Sequence, residues 1–275
     1  MTIESEDLKF NFGCRSCGYK STAPDAPLGQ IPVSRVIEKL DACFNKNDMD
    51  GAGRLLTYWQ TEAEAQRDRR GELSIVNEML GYYRKTGDTE KALWAVDRSR
   101  ELLQLLHLEK TLSGATVLLN TATTLKACGN PEKAMPLYDE TFAIYVRELD
   151  ETDARFGGYY NNKALTLVDL GQYEQAEACY QKALAIMETV ENGLPDCAVT
   201  QINRAHLYEA WKGIEAPEIA ACLESAEQYL NDASVDRNGY YAYVCDKCAP
   251  SFDYFGYFAL AAELKERAKN IYERA

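Results

Sequence analysis

Four cysteines and a row of asparagines are the residues whose spacing could carry chemistry. Cys14-Arg-Ser-Cys17 and Cys245-Asp-Lys-Cys248 are two C-x2-C pairs. Together they offer four thiolates, the number that a closed tetrahedral zinc site takes. The same spacing serves dithiol redox chemistry when one thiol is exposed and acidified. Two unconnected pairs of plain thiols, or zinc held between molecules, remain open beside these. Asn77, Asn120, Asn162 and Asn203 recur at intervals of 43, 42 and 41 residues, with Asn161 next to Asn162. An amide side chain offers both a donor and an acceptor. A regular row of them could hold the C=O and N–H of an extended peptide whatever its sequence, or could bond between adjacent helices and order their stacking. Arg84, Lys126, Lys163 and Arg204 stand near the row and could supply charge for an acidic ligand. The metalloprotease, P-loop, nucleophile-elbow and dinucleotide-binding motifs are absent, which points away from an enzyme.

The elements that must position these residues are read from the glycines. Gly87, Gly129, Gly171, Gly213 and Gly256 are spaced by 42, 42, 42 and 43 residues. An alanine follows five residues later at Ala92, Ala134 and Ala176, and an aromatic four beyond that at Tyr138 and Tyr180. Each glycine reads as a left-handed cap ending one helix. The stripe Ala176, Tyr180, Ala183, Leu184 then gives the next helix an apolar face. The same register predicts helices over Val33–Phe44, Ala52–Ala65 and Phe258–Arg274. In the last of these, Leu264, Ala268, Ile271 and Tyr272 face inward and Lys265, Glu266, Lys269, Glu273 and Arg274 face water, as a terminal repeat requires.

These residues resemble the tetratricopeptide repeat family. The Gly, Ala and aromatic signature is clearest in Tyr159–Ile186, and the 42-residue period is similar to that of kinesin light chain repeats, as are the stretches YYNNKALTLVDLGQYEQAEACYQKALAIMETV and PDCAVTQINRAHLY. The resemblance is strong over residues 115–211 and weak at both ends, and GIEAPEIAAC in the fifth pair departs from it by two extra residues. It implies an all-α fold, a right-handed superhelical α-solenoid of about six helix-turn-helix pairs over residues 33–275, preceded by an extended arm over residues 1–32. It also implies that the first helices line a concave face, where asparagines at this phase contact the backbone of a bound peptide.

Cys245 follows Asn203 by 42 residues and so occupies the row's position in the sixth pair, with Cys248 one turn on. Both are expected to face the groove. The arm contains Pro24, Pro27, Gly29 and Pro32 and reads as extended. Sixteen residue steps from Cys17 to Val33 reach about 53 Å, against roughly 50 Å for five helix pairs at ~10 Å each. The arm therefore reaches far enough for Cys14, Cys17, Cys245 and Cys248 to bind one Zn²⁺ and clip the two ends together. Pro250 is expected to end or kink its helix. Cys43, Cys128, Cys179, Cys197 and Cys222 read as buried hydrophobes, and His206 as either a packed residue or a ligand contact.

Composition bounds the function. The chain has 275 residues and a net charge of -13, from 43 acidic and 30 basic residues. An acidic surface repels phosphate backbones and anionic membranes, so the expected partner is a protein or peptide, not nucleic acid or membrane. Nine cysteines, an odd number, cannot all pair, and the first ten residues lack the apolar core of a signal peptide. The expected location is cytoplasmic. The sequence points first to a non-enzymatic interaction scaffold with possible structural zinc. The other readings are a thiol redox or metal-handling protein, and a peptide-responsive regulator held inactive by its own arm.

Overall fold

The computed structural model describes residues 27–274, and among them it contains twelve helices and no strand. They are α1 (Val33–Asn45), α2 (Met49–Ala65), α3 (Arg69–Thr86), α4 (Thr89–Leu105), α5 (Leu112–Ala127), α6 (Pro131–Glu148), α7 (Ala154–Asp169), α8 (Tyr173–Met187), α9 (Leu194–Lys212), α10 (Pro217–Asn231), α11 (Gly239–Tyr254) and α12 (Phe258–Tyr272). Consecutive helices pair as six hairpins. The architecture is all-α, of the α-solenoid class, as the repeat pattern predicts. The described residues divide after Glu148 into two compact units, 27–148 and 149–274.

Each hairpin follows from its turn. Gly87, Gly129, Gly171, Gly213 and Gly256 all have positive φ, between 70° and 90°, a region that an L side chain enters only at a cost. Asn47 takes the corresponding place in the first hairpin, with φ 54°. Arg67, His107 and Asn192 also adopt positive φ, in the turns that join one hairpin to the next. None of those three positive-φ positions is a glycine, and Gly193, which follows Asn192, falls outside the 42-residue glycine register, so the spacing rule does not reveal these turns. Helix starts are fixed by side-chain acceptors. Asp48 and Asp68 accept from Gly51 N (2.8 Å) and Gly71 N (3.0 Å), each satisfying a donor that a helix N-terminus leaves open.

In the 27–148 unit, α2 packs on α3, α4 on α5, and α3 on α5. Ala92 and Ala134 are buried, as is Tyr138. Residues 27–32 are not helical. They lie on the α2–α3 turn, where Leu28 N donates to Gln66 O (2.8 Å) and Ile31 N to Asp68 Oδ2 (2.9 Å). The remainder of the predicted arm, with Cys14 and Cys17, lies outside the described residues.

In the 149–274 unit, α8 packs on α9, and α9 on α7 and α11. Ala176, Tyr180 and Ala183 are buried as the stripe predicts. α10 begins four residues after Gly213, where the second helices after Gly87, Gly129, Gly171 and Gly256 begin two residues on, so the fifth turn carries two extra residues, and the first buried side chain of α10 is Ile219. Pro250 does not end its helix: α11 continues through it to Tyr254. Ser251 and Phe252, which follow it, are buried at 1% and 0% exposure; packing holds the turn despite the missing N–H. On α12, Leu264 and Ala268 are buried while Lys265, Glu266, Lys269, Glu273 and Arg274 are exposed.

Candidate peptide-binding residues on the first helices

The predicted asparagines sit on first helices: Asn77 on α3, Asn120 on α5, Asn161 and Asn162 on α7, and Asn203 on α9. All five are buried, at 5% exposure or less. In the 27–148 unit, Asn120 Nδ2 donates to Asn77 Oδ1 at 3.0 Å. In the 149–274 unit, Asn203 Nδ2 donates to Asn161 Oδ1 at 3.3 Å, and Thr200 Oγ1 donates to the same oxygen at 3.2 Å. The rung to Asn203 therefore starts at Asn161, 42 residues before it and one position before Asn162, through which the row is counted. Asn161 Nδ2 is buried without a hydrogen-bond partner. A buried, unsatisfied amide N–H costs free energy until an acceptor reaches it.

The basic residues are placed less uniformly. Arg84 donates from Nη1 to Thr124 Oγ1 across α3 and α5 (3.3 Å). Lys163 donates to the Tyr159 hydroxyl one turn back (3.2 Å). Lys126 is half-buried at the end of α5. Arg204 reaches the second helix of the preceding hairpin, with Nε 3.1 Å and Nη2 2.5 Å from the Glu177 carboxylate, and Nη1 3.0 Å from Gln201 Oε1. Glu177 lies 27 residues before Arg204 and half a repeat out of the asparagine register, so no spacing rule connects them.

Cys245 and Cys248 lie together on α11, both at 0% exposure, in an apolar cluster with Tyr241, Val244, Ala261 and Leu264. The position predicted to present thiols to a groove is instead packed, because α11 closes on α12 along that face. Burial pushes the Cys245 thiol up to about 11 against the opposing pull of the Tyr241 hydroxyl and Arg267. Cys248 is raised further by burial and by its neighbour Cys245. Neither is acidified as a redox dithiol requires. Among the described residues no group of three or more His, Cys, Asp or Glu could hold a metal ion. Of the other cysteines, Cys197 and Cys222 are buried, whereas Cys43, Cys128 and Cys179 are only half-buried.

His206 is packed. Its Nε2 lies 2.9 Å from Ser251 Oγ and its Nδ1 3.2 Å from Glu209 Oε2, while its ring lies against Phe255 with centroids 4.9 Å apart. Tyr254 donates to the other Glu209 oxygen. Burial lowers the His206 pKa below its ordinary value. No helix among the described residues is long and apolar enough to cross a membrane.

Residues 115–153 and 157–216 each match a family model described as tetratricopeptide repeat. No curated protein matches the sequence. Among solved structures, BtubC (BKLC) from P. vanneervenii is similar with a TM-score of 0.58 at 23% identity, over 72% of this chain and 79% of that one. A Rap protein complexed with Competence and Sporulation Factor is similar with a TM-score of 0.53 at 14% identity, over 90% of this chain and 66% of that one. A putative kinesin light chain from Podosopora anserina gives a TM-score of 0.49 at 18% identity, over 71% of this chain and 92% of that one. At these identities the likeness speaks for the fold alone, and that of BtubC and the Rap protein agrees with the six hairpins in an all-α solenoid fold, of which residues 115–153 and 157–216 match the tetratricopeptide repeat itself.

Proposed function

We propose that this protein is a non-enzymatic interaction scaffold that binds an extended peptide or partner tail along its first helices. The observation that carries the reading is the buried Asn161 amide. Its oxygen serves both Asn203 and Thr200 while its nitrogen lacks an acceptor. If peptide docking turns this amide outward from between α7 and α9, a backbone carbonyl supplies that acceptor independently of side-chain identity. Asn77, Asn120, Asn162 and Asn203 are assigned the same task of holding backbone. Arg84, Lys126 and Lys163 are assigned to tune the charge preference, with Arg204 acting through Glu177. The complex of the similarly folded Rap protein with Competence and Sporulation Factor lends support by analogy. The test is display of random extended peptides against the immobilised protein. Wild type is expected to enrich binders that Asn161→Ala and Asn120→Ala variants with unchanged helicity no longer retain; equal retention by the variants removes the proposal.

A further inference from the structure

A second surface, formed by other residues, lies between α2, α3 and the start of α4. It is a groove of about 540 Å³ lined by Asp50, Gly53, Arg54, Thr57, Tyr58, Tyr82, Tyr83 and Lys91. The five α2 residues fall at i, i+3, i+4, i+7 and i+8 and so form one continuous stripe. Gly53 makes its floor: a side chain there would collide with the Tyr82 hydroxyl. Tyr58 is 56% exposed, and its ring is held edge-on by Trp59 with centroids 5.1 Å apart. Tyr82 sits edge-on to Tyr83 with centroids 5.3 Å apart.

The polar groups here are unequally used. Lys91 is engaged by Asp88 at 2.8 Å and lies 5.7 Å from the Tyr83 ring centroid. Arg54 is exposed, and although Asp50 stands one turn away on the same helix the two form no ion pair. The Tyr58 and Tyr82 hydroxyls make no hydrogen bond to the described residues. The groove thus presents aromatic faces beside unused donors and one uncommitted guanidinium.

We propose that this groove binds a proline-rich segment of a partner protein in the polyproline II conformation, with an acidic residue next to a proline. Polyproline II has no internal hydrogen bonds, so its carbonyls need outside donors, and recognition of such segments uses aromatic-lined grooves. The Tyr58 and Tyr82 rings receive prolyl rings, their hydroxyls donate to the freed carbonyls, and Arg54 pairs with the carboxylate. The lengths agree: the stripe from Asp50 to Tyr58 is about 12 Å at 1.5 Å per residue, and four residues of polyproline II at 3.1 Å each span about the same. A partner helix bonds its own backbone carbonyls internally and would leave the phenolic donors unmet.

Calorimetric titration of the full-length protein with the synthetic peptide Ac-Ala-Pro-Asp-Ala-Pro-Ala-amide tests this. The comparison peptides carry Lys in place of Asp, or Ala in place of both prolines. Saturable binding is expected, weakened about tenfold by Tyr58→Ala. Arg54→Ala is expected to weaken the Asp peptide and leave the Lys peptide unchanged. Both positions are exposed, so unchanged thermal melting will separate lost contact from lost fold. Failure to saturate at millimolar peptide, equal binding of all three peptides, or indifference to both substitutions overturns the proposal. An Asn161→Ala control is expected to leave this titration unchanged, which separates its outcome from that of the first-helix reading.

Discussion

Glu177 and Arg204 show how burial turns a charge into a structural commitment. Their side chains are 12% and 17% exposed and are bonded through two guanidinium nitrogens. Removing one partner strands the other in a poorly solvated place, at a cost of about 3 kcal/mol. Arg204→Ala is expected to lose that much in denaturant unfolding, and Glu177→Gln combined with Arg204→Met much less; equal losses would mean that the pair is not coupled. His206 supplies the pH prediction. Its imidazole is buried, its neutral form is favoured in the folded state, and its folded pKa lies below the unfolded value of about 6.5. Stability from this group is complete above pH ~6.5 and falls as pH drops through the lowered folded pKa. Glu209 beside Nδ1 opposes that loss, and Ser251 can rotate to accept from Nε2. His206→Gln should therefore flatten the pH dependence of unfolding between pH 6.5 and 5, and an unchanged slope would contradict the assignment.

At the scale of the element, the hairpin turns repeat one device: a left-handed residue ends one helix and a side-chain acceptor often starts the next. Nothing lies within 4 Å of a Cβ placed at Gly87, Gly129 or Gly171. Alanine there is opposed only by backbone conformation, at a cost of about 1 kcal/mol each. Thermal or chemical unfolding of the three single variants checks this, and a stabilising alanine would show that the left-handed turn is not required. Asp68 carries a double load, accepting from Gly71 N at the start of α3 and from Ile31 N of the preceding segment. Asp68→Ala should cost about 2 kcal/mol, at the upper end of N-cap losses, and should speed hydrogen exchange at Ile31.

For the whole molecule, the four-cysteine zinc clip and the packed-thiol reading part on a single measurement. Cys245 and Cys248 share an apolar core with α12 and have high thiol pKa values. Their burial among apolar side chains is what the packed-thiol reading requires, whereas ligation would require both as thiolates together with Cys14 and Cys17. Elemental analysis of purified protein is expected to find zinc well below one equivalent, unchanged by Cys245→Ser. Stoichiometric zinc lost in that variant would instead establish the clip through Cys14 and Cys17.

The repeat, the helix pairs and their glycine turns were legible in the sequence because they are local. A positive φ selects glycine, and a helix face repeats with its period, so five glycines and their alanines locate most of the six hairpins. The turns at Arg67 and His107 were not legible, because neither residue type advertises a left-handed backbone; Asn192, followed by Gly193, did carry a turn signal, but one outside the glycine register. The asparagines were visible as a row. Which of Asn161 and Asn162 bonds Asn203 depended on how α7 rotates against α9, and a period near 42 residues cannot resolve a single position. Tertiary structure alone decided that Arg204 answers Glu177, that Cys245 and Cys248 are packed, and that Tyr58, Tyr82 and Arg54 border one groove. Each of these is a meeting of residues on different helices. Sequence fixes the face a residue takes on its own helix, and only the packing of helix on helix determines what that face meets.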